Sequence, residues 1–291
     1  MNRRDFISYC CLCALSILSL KKVFNDFTIK NTSMLNYVEV QIADHCNLNC
    51  KYCSHFSPIA DTHFYDLKQY EKDIKRLSKI TNKMLKRFRI MGGEPLLNSN
   101  IIKYFEISRK YFPYTDIRLV TNCVLLPKMS DDFWRSLNKN NISIEPSIYD
   151  VEIDWKKILE KATEFDIYLM LYKPLTKYFF NINLDLSASQ RNFFKCRQKC
   201  FDFECYNLVD GKLYICPVVA YIKYFNKYFN QNVEISKGDY VELDKIKNMQ
   251  DLTNWIEEPK PFCKYCKDRI PMKWELGKTV HSITEWVTEN K

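Results

Sequence analysis

Residues 46 to 53 read Cys46-Asn47-Leu48-Asn49-Cys50-Lys51-Tyr52-Cys53, and they follow Tyr37-Val38-Glu39-Val40-Gln41-Ile42 after a gap of only three residues. The earlier stretch alternates apolar and polar positions and is rich in β-branched side chains, which predicts a strand whose C-terminal end feeds the cysteine loop. Three thiolates are one short of a closed structural site. A four-iron cluster held by three cysteines leaves one iron with an open position, where a small molecule can coordinate and accept an electron. A zinc knuckle or a ferredoxin-type loop is the alternative; either needs a fourth ligand, for which Asp44, His45 and His55 are candidates.

Working outward, Leu67, Tyr70, Ile74, Leu77 and Thr81 keep a helical period behind Asp66, which suits the N-cap. Phe88-Arg89-Ile90-Met91 then reads as a second strand ending in Gly92-Gly93-Glu94-Pro95. Only 5 of 291 residues are glycine, so an adjacent pair at a strand end marks a place where another residue would be awkward, with Pro95 stiffening the exit. A plain tight turn is the bland reading. The alternation continues with a helix over 98–112 closed by Pro113, a strand over 116–121, a helix over 130–140, a strand over 142–147 and a helix over 154–164. Ile167-Tyr168-Leu169-Met170-Leu171 is apolar enough for a parallel strand buried on both faces. Five strands alternating with helices predict a parallel, barrel-like α/β core over residues 34–174. From about residue 174 the pattern turns irregular and aromatic, and a smaller cysteine-rich α+β domain is expected over 175–291. Within it, Tyr206–Val209 and Lys212–Ile215 flank Asp210-Gly211, a hairpin signal that brings Cys205 and Cys216 together.

The cysteine octet resembles the signature of the radical S-adenosylmethionine (SAM) enzymes, and the Gly92–Pro95 stretch is similar to that family's GGEP motif. The resemblance implies a partial (β/α)6 TIM-like barrel in which Cys46, Cys50 and Cys53 hold a 4Fe-4S cluster whose open iron binds SAM. One electron then cleaves SAM to a 5′-deoxyadenosyl radical that abstracts a substrate hydrogen. It further implies that Gly92, Gly93, Glu94 and Pro95 face the SAM amino group and that Tyr52 packs near the adenine. Asn122, within Val120-Thr121-Asn122-Cys123, and Ser147 would contact SAM from two further strand ends. Cys123 stands where the family has glycine; a thiol there is a candidate hydrogen donor, with a buried inert cysteine as the simpler reading.

Thirteen cysteines in a chain with an ample core point to ligands rather than a disulfide scaffold. Gly211-x4-Cys216 followed by Cys263-x2-Cys266 resembles the auxiliary-cluster region called SPASM, or its shorter form, twitch. That pattern implies an upstream cysteine some way before the glycine. Cys200, with 10 residues between, and Cys196, with 14, meet the spacing; Cys205, with 5, does not, although the hairpin sets it opposite Cys216. One of Cys196, Cys200 and Cys205 is expected to join Cys216, Cys263 and Cys266 in a single second iron-sulfur cluster. A zinc ribbon is the rival at this site.

Apolar residues at 46% and charged residues at 27% exclude wholesale disorder and a polytopic membrane protein. The net charge of +9 favours an anionic partner weakly. Asp66 to Arg89 supplies a local excess of basic residues, read as a solvated helix face rather than a nucleic-acid surface. Met1-Asn2-Arg3-Arg4-Asp5-Phe6 and the 15-residue apolar run to Leu20 resemble a twin-arginine export signal, too short for the ~20 residues of a membrane-spanning helix. Residues 1–33 are therefore set outside the fold as a leader or upstream extension. The family resemblance implies a cytoplasmic enzyme served by a low-potential donor such as flavodoxin or ferredoxin, with export or membrane association as the alternative. Its substrate is expected to be a carbohydrate-type metabolite or a peptide. The rival functions are a non-catalytic iron-sulfur electron carrier and a zinc-stabilised nucleic-acid-binding module.

Overall fold

The computed structural model describes residues 35–171, 175–180, 182–187, 196, 200, 204–277 and 280–287. The leader and the division drawn at 174 fall outside that set.

The alternating stretch forms β1 (Tyr37–Gln41), and the basic segment after it folds into α1 (Leu67–Ile80) and β2 (Arg87–Met91). Asp66 caps α1 by accepting from the Gln69 amide at 2.8 Å. Tyr70, Ile74 and Leu77, spaced at i, i+4 and i+7, are fully buried, whereas Lys68, Lys72, Lys75 and Lys79 face solvent. Then come α2 (Ile101–Tyr111), β3 (Asp116–Thr121), α3 (Asp131–Lys139), β4 (Ile142–Pro146) and α4 (Trp155–Glu164). Ser130 and Asp154 cap α3 and α4 through the amides of Phe133 and Lys157.

β1 to β4 pair in parallel in sequence order. The fifth strand expected at 167–171 does not form: Leu169 makes an isolated bridge to Ile144, and Tyr168 (64%) and Leu171 (46%) are exposed. An apolar run belongs in a parallel strand only when both faces are covered, and the outer side of this one is open to solvent. The sheet grows from its other edge instead. After β5 (Tyr178–Phe180), β6 (Tyr206–Val209) pairs in parallel with β1, and β7 (Lys212–Tyr214) and β8 (Tyr240–Glu242) follow antiparallel, giving the order β4-β3-β2-β1-β6-β7-β8. The expected hairpin is present, with Asp210 (φ 46°) and Gly211 (φ 75°) both left-handed as a two-residue turn requires. It extends the core sheet rather than founding a second one, and Leu35–Lys291 is a single compact unit. α5 (Pro217–Phe229) and α6 (Met249–Glu257) follow the hairpin strands, and β9 (Pro271–Lys273) pairs with β5.

The sheet has two unlike faces. Val38, Val40, Phe88, Ile90, Ile117, Leu119, Ile142 and Ile144 are all at most 3% exposed and pack against the helices. The alternate residues, Glu39, Arg89, Arg118 and Asn207 among them, lie in register on the opposite face. That face is the polar interior of a partial barrel, and the loops at its C-terminal rim carry the cysteines. Tyr221, Tyr224 and Phe225 of α5 are buried in a second apolar cluster, so packing accounts for that aromatic stretch. No helix among the described residues is long and apolar enough to cross a membrane.

Candidate active site

The Cys46, Cys50 and Cys53 side chains line one cavity of about 460 Å³ at the C-terminal rim of β1 to β4. Tyr52, Gly92, Gly93, Asn122 and Ser147 line the same cavity. The loop reaches this shape through left-handed backbone at Tyr52 (φ 63°) and Phe56 (φ 55°), which costs roughly 1–3 kcal/mol per residue and persists only where neighbours fix it. The neighbours come from the far end of the chain. The Lys51 amide donates to the Glu275 carbonyl at 3.1 Å, Trp286 Nε1 donates to the Cys53 carbonyl at 3.0 Å, and His281 Nε2 lies 2.7 Å from Asn49 Oδ1. The sequence carried no signal for this clamp, whose parts are more than 200 residues apart.

Gly92 and Gly93 make room for protein, not only for ligand. A Cβ on Gly92 would stand 2.4 Å from the Ala43 carbonyl oxygen, and one on Gly93 would stand 2.4 Å from that of His45. Without side chains there, β1 and β2 keep pairing beyond their ends: the Gly93 amide donates to Ala43 (2.8 Å) and the Glu94 amide to His45 (3.1 Å). This pairing sets the position of the residue just before Cys46. Glu94 and Pro95 do not line the cavity. The Glu94 carboxylate is fully buried and accepts from the Leu96 amide (3.0 Å), the Thr121 hydroxyl (2.7 Å) and the Asn122 amide (2.9 Å), tying the β2 exit to the β3 exit. Burial pushes its pKa up to about 7 against these three donors. Asn122 in turn donates from Nδ2 to Asn47 Oδ1 at 2.7 Å, inside the cysteine loop. The Ser147 amide donates to the Thr121 carbonyl at 2.8 Å.

Cys123 turns away from the cavity. It is fully buried in the main core and donates from Sγ to the Thr121 carbonyl at 3.6 Å, so the geometry gives no support to a hydrogen-donor role. Its φ of 66° explains why glycine suits this position and why cysteine is a strained occupant.

No disulfide joins Cys46, Cys50 or Cys53. Burial raises the pKa of Cys46 and of Cys50, the latter to about 12. For Cys53 burial acts in the same direction, but His55 outweighs it and lowers the value. Three thiols on one cavity, from one short loop, fit a positively charged iron cluster whose binding displaces their protons. Among the described residues no three His, Cys, Asp or Glu side chains converge closely enough to hold a single ion. A cluster does not demand that convergence, because each cysteine binds a different iron.

Of the later cysteines, Cys196, Cys200, Cys216 and Cys266 line a second, small cavity of about 40 Å³. Cys205 does not line it; its Sγ is 2.6 Å from the Tyr37 hydroxyl at the start of β1. Cys263 does not line this cavity either, and Cys196 and Cys200 occur there together although only one was expected.

The sequence reading missed a charged row whose Glu39 and Arg89 line the cavity. Arg89 Nη1 donates to Glu39 Oε1 at 2.5 Å and Nη2 to Glu145 Oε1 at 2.8 Å; Arg118 bridges Glu145 (3.3 Å) and Asp116 (2.7 Å), and Arg87 closes the row on Asp116 (3.0 Å). Burial opposes the charge on Glu39, but His55 and Arg89 prevail and lower its pKa. Arg87 and Arg89 belong to the stretch read as a solvated basic face; alternation puts both on the same face as Glu39, where Arg89 lines the cavity and Arg87 stays 34% exposed. The signal was charge at every second position of successive strands: Glu39 on β1, Arg87 and Arg89 on β2, Asp116 and Arg118 on β3, and Glu145 on β4.

Residues 40–181 match the Radical SAM superfamily. The GTP 3′,8-cyclase of Desulforamulus reducens is 29% identical over 145 residues, 46% of this chain and 44% of that protein. The GTP 3′,8-cyclase of Petrotoga mobilis is 35% identical over 112 residues, 38% of this chain and 35% of that protein. The chain thus spans less than half the length of the curated relatives it matches. Among solved structures, BtrN in complex with AdoMet and 2-DOIA superposes with a TM-score of 0.48 at 15% identity, covering 81% of this chain and 94% of that one. Native anSMEcpe with bound AdoMet gives 0.46 at 14%, covering 79% and 83%. Residues 40–181 of this chain are a radical SAM domain.

Proposed function

We propose that the chain is a radical SAM enzyme that abstracts a hydrogen atom from a small-molecule or peptide substrate held in the 460 Å³ cavity. The observation that carries this reading is the meeting of three thiols from one loop with the Gly92-Gly93 backbone and the β3 and β4 strand ends around a single cavity. Cys46, Cys50 and Cys53 would hold a 4Fe-4S cluster. When bound, the cluster supplies an electron to SAM, whose cleavage gives the 5′-deoxyadenosyl radical. The protein's own part is positional. Gly92 and Gly93 fix the strand pairing that sets the loop; Glu94 locks the strand exits; Asn122 braces the loop through Asn47; Tyr52 and Ser147 present polar groups to SAM from the cavity wall. Cys196, Cys200, Cys216 and Cys266 would hold a second cluster, with zinc as the alternative occupant. A flavodoxin- or ferredoxin-type donor and a cytoplasmic setting complete the proposal.

The test is anaerobic reconstitution with iron and sulfide, then dithionite and SAM. The expected result is release of 5′-deoxyadenosine, abolished when Cys46, Cys50 or Cys53 is changed to Ser. Intact SAM beside a fully loaded cluster refutes the reading.

A further inference from the structure

Buried polar atoms without partners gather around one part of the cavity. Ser57 is 2% exposed and lines the cavity with an unpartnered Oγ, and Arg89 Nε, also on the lining, is without a hydrogen-bond partner. Gln41, on the Glu39 face of β1, leaves both amide atoms unpartnered at 3% exposure. Native proteins rarely leave such atoms unsatisfied, and a concentration of them at a cavity marks a place where a ligand completes the bonding.

We propose that Glu39, Ser57 and Arg89 form the floor of a substrate subsite for a small, neutral, polyhydroxylated molecule, resting on the radical SAM reading above. Charge decides the class. Of the charged side chains on the lining, Arg89 pairs with Glu39, His55 stands 3.8 Å from the same carboxylate and Arg269 is the fourth; behind Arg89 the pairing runs on through Glu145, Arg118, Asp116 and Arg87. A phosphate or carboxylate seated on Arg89 would face Glu39 and Glu145 as well, and an ammonium seated on Glu39 would face Arg89. A hydroxyl both donates and accepts, so it satisfies Arg89 Nε, Ser57 Oγ and the far oxygen of Glu39 without disturbing the pairing. The lining is also aromatic: Tyr149, stacked on Trp274 at 5.1 Å, and Phe179 offer apolar surface to the C–H face of a ring. SAM shares the same 460 Å³, so a single ring fits better than a peptide segment.

The experiment uses the reconstituted, fully loaded enzyme with dithionite, SAM and one probe at a time. The neutral probes are C-perdeuterated D-glucose, N-acetyl-D-glucosamine and myo-inositol; the contrasting probes are deuterated GTP and a deuterated octadecapeptide. In a productive encounter a probe C–D bond breaks and a C–D bond forms at C5′ of the deoxyadenosyl group. The carbon radical left on the probe takes one electron from dithionite and one solvent proton. The expected result is 5′-deoxyadenosine one mass unit heavier with at least one neutral probe and unlabelled with GTP and peptide. With that probe, Ser57→Ala raises the half-saturating concentration about 5–10-fold, the worth of one hydrogen bond. Label from GTP or peptide overturns the proposal, as does 5′-deoxyadenosine released unlabelled with all three neutral probes, or an unchanged half-saturation in Ser57→Ala. Failure to release 5′-deoxyadenosine in every arm overturns the proposal together with the reading beneath it, and is told apart by that silence.

Discussion

Replacing Gly93 with Ala puts a methyl group 2.4 Å from the His45 carbonyl oxygen, 2.5 Å from its carbon and 2.8 Å from the Asp44 oxygen. All three are backbone atoms, so no flexible side chain can swing aside. To restore a contact of 3.0 Å the β1 exit must retreat by about 0.6 Å or more. That retreat stretches the Glu94 amide bond to His45, now 3.1 Å, past the range of a hydrogen bond. Overpacking costs about 1–3 kcal/mol and the lost bond about 1 kcal/mol, so a destabilisation of roughly 2–4 kcal/mol is expected. For a domain of this size that lowers Tm by about 5–15 °C. The displaced residue is the neighbour of Cys46, so the loop should also load less iron. Thermal melts of the apo-protein and iron and sulfide counts after reconstitution measure both effects. Gly238→Ala is the control, because the nearest atoms there belong to the Pro261 ring at 3.0 Å or more. A Gly93→Ala protein that melts within a degree or two of wild type and binds the same iron refutes the argument.

Cys205→Ser should leave the iron content unchanged, while Cys200→Ser and Cys216→Ser should each lower it by the share of one cluster; equal losses in all three would contradict the placement of Cys205 against Tyr37. Trp286→Phe removes the indole bond to the Cys53 carbonyl, costs about 1 kcal/mol, and should speed the loss of cluster iron to a chelator; an unchanged loss rate would mean the C-terminal segment does not brace the loop. Glu94 has a pKa raised from 4.5 to about 7 in the folded chain, so its contribution to stability is full below pH 4.5 and lost as pH rises through about 7, on the order of 3 kcal/mol in all. Urea unfolding from pH 4.5 to 8 should show that decline in wild type and not in Glu94→Gln, and parallel curves would sink the claim.

Helices and strands as far as residue 164 were legible because their apolar periods alternate clearly, and at α1 a second signal, the Asp66 cap, agreed. The cysteine loop and glycine pair were legible because their chemistry is local. Ile167–Leu171 misled because apolarity alone cannot tell a covered strand from an edge that ends in solvent. The choice among Cys196, Cys200 and Cys205 was closed to spacing, since the hairpin that sets Cys205 opposite Cys216 also aims its thiol at Tyr37. The clamp from Glu275, His281 and Trp286 onto the loop depends on contacts across the whole chain, which no local pattern encodes.

The charged row is the feature least explained by folding. Buried ion pairs seldom stabilise a protein more than well-packed apolar side chains of the same volume would, because desolvation offsets the attraction. The opposite face of the same strands shows the cheaper solution, with Val38, Val40, Phe88, Ile90 and Leu119 all sealed against helices. Long, paired side chains at Glu39, Arg89, Arg118 and Glu145 hold each other at fixed distances and leave polar atoms facing the space between them. If the proposed function holds, the use of the row is selectivity rather than stability: paired charges on the inner face leave room for a polar substrate beside SAM.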